Sequence, residues 1–386
     1  MRLPLLNPAD QASFDKEQLK RMVDTFIERG FTYFDTAWMY HNFQSEEVLK
    51  EVLVERYPRE SYTITSKLPI MMIYTEEKQR ETFQRQLQKV GVDYFDYYLV
   101  HSLNENTYKN AVKLKSFEYL QQLKAEGKIK HMGISFHDNA ELLDRILTEH
   151  PEIELVQIQL NYVDWHNGNN QNPLNPDGEY LYNELAKRGI PAVIMEPLLG
   201  GRLAKVPDHV VAHLKQRRPD NSVASWAFRY AGSMPNVLCV LSGMTYMEHL
   251  EDNLRTYCPL EPLEEEDVKW LEGETASLII SYPTIACNDC KYCMPCPYGL
   301  DIPAIFVHYN KCVNKGNVPE SQQAENYQKA RRAFLIGYDR SVPKLRQADH
   351  CIGCRQCVAH CPQNINIPRE MQRIDRFVEA LKQGTL

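Results

Sequence analysis

Eight of the eleven cysteines stand in two short runs. The stretch CNDCKYCMPCP, residues 287–297, sets Cys287, Cys290, Cys293 and Cys296 at every third position. The stretch CIGCRQCVAHCP, residues 351–362, repeats that spacing at Cys351, Cys354 and Cys357 and places Cys361 one residue further on. A disulfide framework of a secreted protein spreads its cysteines, so thiolates gathered this densely point to metal ligation in a reducing compartment. Two zinc sites of four cysteines each are one alternative. Four cysteines in each run, with Pro297 and Pro362 trailing the fourth, favour a pair of 4Fe-4S clusters. Cys239, Cys258 and Cys312 lie outside both runs and are read as buried or inert thiols.

A second set of reactive types is spread over the first hundred residues. Asp35 follows the apolar segment FTYF, Lys67 follows YTITS, His101 follows YFDYYLV, and Tyr40 lies in the loop just beyond Asp35. An acid, a base and a phenol, each at the end of an apolar segment, suit proton transfer only if the fold brings those ends together.

The elements that must do so are legible from residue 15 onward. Asp15 and Gln18 form a capping-box arrangement ahead of a helical face at Leu19, Met22, Val23, Phe26 and Ile27, which Gly30 terminates. Strand FTYFDTA, helix SEEVLKEVL, strand YTITSKL, helix TEEKQRETFQRQLQKV, strand YFDYYLVH, helix YKNAVKLKSFEYLQQLKAEG and strand KHMGISF follow in alternation. A helix near 138–149, strand ELVQIQLN, a helix near 178–188, strand IPAVIMEPL and strand NVLCVLSG continue it. Nearly continuous apolar strands between amphipathic helices imply a parallel sheet covered on its outer face. Seven strand–helix repeats without an early Gly-x-Gly-x-x-Gly turn favour a (β/α)8 TIM barrel, an α/β fold, over an open doubly wound sheet. The eighth strand has one candidate, MRLPLL at the start, so the first strand is expected to be short or truncated. In such a barrel Asp35, Lys67 and His101 share the C-terminal rim, where barrel enzymes work.

With these residues in place the sequence resembles the aldo-keto reductase family over roughly residues 1–260. FDTAWMYHNFQSE matches its FDTAxxYxxxxxE, YTITSKL matches its lysine strand, and VDYFDYYLVH matches its VDYxDLxLxH. The resemblance implies reduction of a carbonyl, or oxidation of an alcohol, with NADP(H) or NAD(H). It makes Tyr40 the proton donor, Lys67 the cation that eases its ionisation, Asp35 the partner of Lys67, and His101 the group that orients the substrate carbonyl. It also implies that Ser135 and Gln157 hold the nicotinamide carboxamide. Gly200 and Gly201 of PLLGGRL would cross the pyrophosphate, Ser242 and Gly243 would end the last strand, and Asp252 and Asn253 would meet the adenine. Two positions depart from the pattern: Met195-Glu196 replaces an aromatic under the nicotinamide, and His249 stands where an arginine commonly grips a 2′-phosphate. Aromatic and polar residues near Tyr40 (Trp38, His41, Phe43), with Tyr162 and Trp165 heading the Asn-rich loop YVDWHNGNNQNPLNPDG, are expected at the pocket mouth.

The cysteine module resembles a bacterial two-cluster ferredoxin, in which the fourth cysteine of each run ligates the other cluster. That rule groups Cys287, Cys290 and Cys293 with Cys361, and Cys351, Cys354 and Cys357 with Cys296. The insert between the runs resembles the helical ferredoxin type of respiratory iron-sulfur subunits. The expected division is therefore a barrel over 1–265 and an α-helical ferredoxin-like domain over 266–386.

A net charge of -7 and scattered lysines give no electrostatic case for nucleic acid or an anionic membrane. No apolar run is long enough to span a bilayer, and the cytoplasm is the expected compartment. A small carbonyl or alcohol is then the expected substrate, with a flavoprotein or ferredoxin as electron partner, because a hydride carries two electrons and each cluster passes one. The alternative is an electron-transfer or redox-sensing iron-sulfur protein whose barrel is a docking scaffold.

Overall fold

The computed structural model describes the chain apart from residues 1, 8–9, 167–177, 282–283, 362 and 364. Most of the Asn-rich loop, the first residue of MRLPLL and Pro362 therefore lie outside the described residues. The chain forms two compact units, Met1–Trp165 with Pro176–Pro197 and Ser225–Glu264, and His166–Asn175 with Leu198–Ala224 and Glu265–Leu386. The segment Leu198–Ala224, which a single cut at residue 265 would leave with the barrel, groups with the second unit.

The first unit is a sheet of seven parallel strands in sequence order: β1 Tyr33–Asp35, β2 Thr63–Leu68, β3 Phe95–Leu103, β4 Ile129–Phe136, β5 Leu155–Gln159, β6 Ala192–Met195 and β7 Val237–Val240. The middle strands are buried on both faces, with every residue of β5 and β6 inaccessible, as a helix-covered parallel sheet requires. Leu99, Leu155 and Val193, from β3, β5 and β6, pack together as an apolar cluster with Tyr33 and Leu241 against it. Among the described residues no strand joins β7 to β1, and Arg2–Leu6 supplies only a single antiparallel bridge, Leu5 to Phe14. The expected first strand is thus not formed. The two flanking strands are less buried: all of β1 is half-buried and Leu238 of β7 is 45% exposed.

The helices follow the sequence pattern closely. α1 (Lys16–Glu28) starts where the Asp15 side chain accepts from the Gln18 amide at 3.0 Å, and it buries Leu19, Met22 and Val23. α2 (Ser45–Leu49) runs on through a wider turn over Lys50–Val54, and α3 (Glu76–Val90) is capped by Thr75. The single helix expected over 108–127 is instead two, α4 (Glu105–Lys113) and α5 (Ser116–Ala125). Lys115 takes the left-handed conformation at φ 53°, and Gln79 of α3 reaches both sides of this break, bonding the Leu114 carbonyl and the Ser116 hydroxyl. A local polar network overrides helix propensity there. α6 (Ala140–Glu149), α7 (Gly178–Lys187), α9 (Val223–Gly232) and α10 (Met247–Tyr257) complete the first unit, Val223 and Ala224 excepted.

The second unit holds α8 (Asp208–Arg217) and a helix α11 (Glu265–Trp270) that continues through Ile280. Its core comes from α12 (Ile302–Asn314), α13 (Tyr327–Ser341) and α14 (Ile367–Gln383), whose Ile305, Phe306, Phe334, Tyr338, Met371 and Ile374 interlock. Six of the eight run cysteines pack against this core as half-buried side chains. No helix among the described residues is long and apolar enough to cross a membrane.

Candidate active site and cysteine sets

Register and local distortion bring three strand ends together at the rim of the first unit. Asp35 closes β1 opposite Thr65 of β2, and Lys67 sits two residues further along β2 opposite Leu99 of β3. The Lys67 side chain is fully buried, and its Nζ donates to Asp35 Oδ2 at 2.6 Å and to the Thr36 carbonyl at 2.8 Å. Burial pulls the Lys67 pKa down, while the Asp35 charge and hydrogen bond oppose that pull. The same ammonium lies 5.2 Å from the centre of the Tyr40 ring, which stands edge-on to His101 at 6.1 Å between centroids. The four residues expected to act together are therefore in one place.

Tyr40 is held by a strained turn. His41, Asn42 and Phe43 all take left-handed backbone angles, with φ of 49°, 52° and 68°, a conformation costing about 1–2 kcal/mol for each residue with a β-carbon. Surrounding contacts hold the turn. His41 Nε2 accepts from the Leu3 amide at 3.0 Å, and Lys89 donates to the Phe43 carbonyl. Strain retained so close to a reactive side chain is a mark of a functional site.

His101 is aimed by a bulge. The pairing of β3 with β4 runs regularly to Val100 and Ile134, then slips so that Leu103 meets Phe136, with Ser102 at φ 55°. The Ser102 amide, displaced from the ladder, donates to Ser135 Oγ at 2.8 Å. Ser135 thus supports the turn that presents His101. Burial, then the nearby Lys67 and His137, push the His101 pKa well below the usual histidine range, so its ring is neutral at pH 7. Its Nδ1 is buried without a protein partner among the described residues.

Sequence reasoning passed over three features of this site. Glu46, the last residue of FDTAWMYHNFQSE, is fully buried and accepts from Ser66 Oγ at 2.8 Å and Gln86 Nε2 at 2.7 Å, while Gln86 also donates to the Lys67 carbonyl at 3.1 Å. It fixes the strand that carries Lys67 from behind. The signal was its place in the motif. His137, just past β4, is near enough to Lys67 for that charge to add to burial in holding its pKa down at about 4. Arg2 lays its aliphatic stem against Gly243, where a β-carbon would sit 3.2 Å away. Its short, irregular segment gave no signal.

The residues expected to meet a dinucleotide do not all fall in one unit. Gln157 in β5 is buried; its Nε2 contacts Met195 Sδ at 3.5 Å and its Oε1 has no protein partner among the described residues. A buried amide oxygen without a donor suits the NH2 of a carboxamide. Ser242 Oγ accepts from Asn253 Nδ2 at 2.9 Å, and Asp252 accepts from Arg255 at 3.1 Å. Gly200 and Gly201 belong to the second unit. Tyr162 and Trp165, expected at a pocket mouth, are instead core residues, 0% and 8% exposed, packed on Tyr230 and Tyr182. Their aromatic area is better hidden than displayed, whereas Phe43 remains 43% exposed.

In the second unit the cysteines whose pKa is most raised feel their own turn together with the last cysteine of the other run. Burial raises the Cys293 pKa strongly, and the sulfurs of Cys290, Cys287 and Cys361 add to the rise. Burial likewise pushes Cys357 up to about 11, and the sulfurs of Cys351, Cys354 and Cys296 add to the rise. Thiols whose pKa is raised in this way need a cation to ionise, which is the chemistry of a metal-cluster ligand set. Cys312 is buried in α12, with its thiol 3.4 Å from His308 Nε2, apart from both sets.

Known proteins resemble this chain in two separate stretches. Residues 6–273 match the model of the aldo/keto reductase family, and residues 286–366 match that of a 4Fe-4S dicluster domain. The uncharacterized oxidoreductase YtbE of Bacillus subtilis is 31% identical over 55% of this chain and 69% of its own. The NADH-specific methylglyoxal reductase of Escherichia coli is 24% identical over 60% of this chain and 81% of its own. Among solved structures, an aldo-keto reductase from Klebsiella pneumoniae in complex with NADPH superposes with a TM-score of 0.56 at 20% identity, covering 71% of this chain and 90% of its own.

Proposed function

Because the chain belongs to the aldo/keto reductase family and carries a 4Fe-4S dicluster domain, we propose that its barrel, over about 1–265, interconverts a small carbonyl and its alcohol with NADP(H) or NAD(H). The module at 266–386 then conducts electrons for a separate partner. The observation that carries the first part is the buried Lys67 ammonium, tied to Asp35 at 2.6 Å and set beside the Tyr40 ring.

A tyrosine with an ordinary pKa near 10 is a poor proton donor at neutral pH. An ammonium kept charged by Asp35 stabilises the tyrosinate that forms as Tyr40 gives its proton to the carbonyl oxygen. Neutral His101 donates a hydrogen bond to that oxygen and fixes its position, while Ser135 holds the bulge behind it. The nicotinamide, when bound, supplies the hydride. Gln157 Oε1 would accept from its carboxamide, with Ser135, Ser242, Gly243, Asp252 and Asn253 as the further contacts of the first unit.

The two cysteine sets suit 4Fe-4S clusters, one held by Cys287, Cys290, Cys293 and Cys361 and the other by Cys351, Cys354, Cys357 and Cys296. Bound clusters supply one-electron steps, which a hydride transfer does not use. A flavoprotein or a small ferredoxin is therefore their natural partner.

Turnover by the anaerobically purified protein, with methylglyoxal as the probe carbonyl, tests the reading. Tyr40→Phe should lower kcat by roughly 10²–10⁴-fold, the usual worth of a positioned proton donor, and leave cluster reduction by dithionite unchanged. Turnover that survives Tyr40→Phe would remove the barrel chemistry proposed here.

A further inference from the structure

The loop Leu199–Ala204 is built into the first cysteine run. Gly200 and Gly201 both take positive φ, 66° and 101°, yet their surroundings differ. A β-carbon on Gly201 would meet nothing within 4 Å, whereas one on Gly200 would fall 2.0 Å from Asn288 Cβ and 2.3 Å from Asn288 Cα. Backbone lies against backbone there, and no side chain can move aside. Asn288 stands between Cys287 and Cys290, is 6% exposed, and accepts from the Cys290 amide at 3.3 Å. A second tie comes from Arg202, whose Nη2 donates to Thr284 Oγ1 at 2.7 Å, three residues before Cys287. The end of the loop is held as well, with Asn314 of α12 donating to the Lys205 carbonyl at 2.6 Å.

We propose that Asn288 and Thr284 are positioning residues for the dinucleotide: through Gly200 and Arg202 the first cysteine run sets the shape of the loop that binds the pyrophosphate. This rests on the proposed use of NADP(H) or NAD(H) and on the expectation, from the family resemblance, that this loop crosses the pyrophosphate. It follows that Gly200 serves close approach of the Cys287–Cys290 turn, while Gly201 alone is left for backbone reasons. Because the contact is direct, a ligand that shifts the loop shifts the turn. Affinity for the ligand and the state of the first cluster are then linked reciprocally.

The test uses the holoprotein, reduced anaerobically with dithionite, and ADP-ribose with its 2′-phosphate as probes. Both keep the pyrophosphate and lack the nicotinamide, so neither can exchange a hydride. Binding is followed by calorimetry and the clusters by EPR. The expected result is that the probes perturb the EPR spectrum of the wild-type protein. Gly200→Ala should alter that spectrum without ligand and weaken binding by about tenfold, a typical coupling. Should Gly200→Ala lose its iron, Thr284→Val decides, since it cuts one tie without a backbone clash: severalfold weaker binding at full iron content supports the proposal. Wild-type affinity in Thr284→Val, an unchanged spectrum in Gly200→Ala, or probe binding that leaves the wild-type spectrum untouched overturns it. If the wild-type protein binds neither probe, the dinucleotide assignment itself fails and takes this inference with it.

Discussion

A lysine with no exposed surface is rare unless it is paired, and Lys67 is paired with Asp35 and a carbonyl. The pair is better understood through what its loss would do than through its own worth, because a buried charge stripped of its partner is expensive. Asp35→Ala should lower stability by about 3–5 kcal/mol in denaturant titrations, while Lys67→Met, which removes the charge itself, should cost less. Equal losses from both would mean that packing rather than charge holds the site. Asp35, Tyr40, Lys67 and His101 were legible because each ends or follows an apolar strand, and strand ends are where a barrel gathers side chains. Glu46 was harder to interpret, since a glutamate in a helix reads as solvated surface until the fold buries it against Ser66 and Gln86.

At the scale of elements, polar side chains decide where regular structure is interrupted. Ser135 takes up the amide released by the bulge at Ser102, and Gln79 spans the break between α4 and α5. Such breaks carry no periodic signal, which is why the split helix was read as one and the bulge was not anticipated. The second unit has its own polar insertion. His308 of α12 donates from Nε2 to the Phe334 carbonyl of α13 at 3.1 Å, and Gly337 has no side chain because a β-carbon would stand 2.7 Å from the imidazole. Burial holds the pKa of His308 down at about 4, against about 6.5 in an unfolded chain. The unfolded form thus binds the proton more readily, so stability present above pH 6.5 is lost as pH falls towards 4. By pH 5 the loss from this residue should be roughly 2 kcal/mol. Anaerobic denaturation of the holoprotein at pH 7 and pH 5 measures it, with His308→Gln expected to flatten the difference; an undiminished slope in that variant would place the titration elsewhere.

For the whole molecule, the alternation of strands and helices pointed to the barrel and the cysteine spacing to the second module, but the grouping of Leu198–Ala224 with the cysteines had no local signal. Leu198–Ala224 follows the sixth strand as a barrel segment should, yet the ties of its first residues to Thr284, Asn288 and Asn314 group it with the cysteines. Contacts between residues 82 to 109 positions apart leave no trace in local pattern. The missing strand beside β1 was legible as a deficit in the count, and the half-buried β1 and β7 agree with it. The proposed crossing of the cysteine sets makes a prediction at this scale. Cys361→Ser should remove the cluster held by the distant Cys287 turn and spare the neighbouring one, lowering iron from about eight to about four per chain. If it is instead the Cys351 turn that loses its EPR signal, each run serves its own cluster.

The central claim is that hydride chemistry belongs to the barrel and single-electron chemistry to the cysteine module. The most direct measurement mixes the anaerobic, oxidised holoprotein with NADPH or NADH, with and without methylglyoxal, and follows nucleotide absorbance and cluster EPR together, in wild type and in Tyr40→Phe. Nucleotide oxidation is expected only with the carbonyl and only in wild type, with both clusters remaining oxidised throughout. Clusters that become reduced by the nucleotide alone would contradict the central claim, and would mean that the two modules exchange electrons directly.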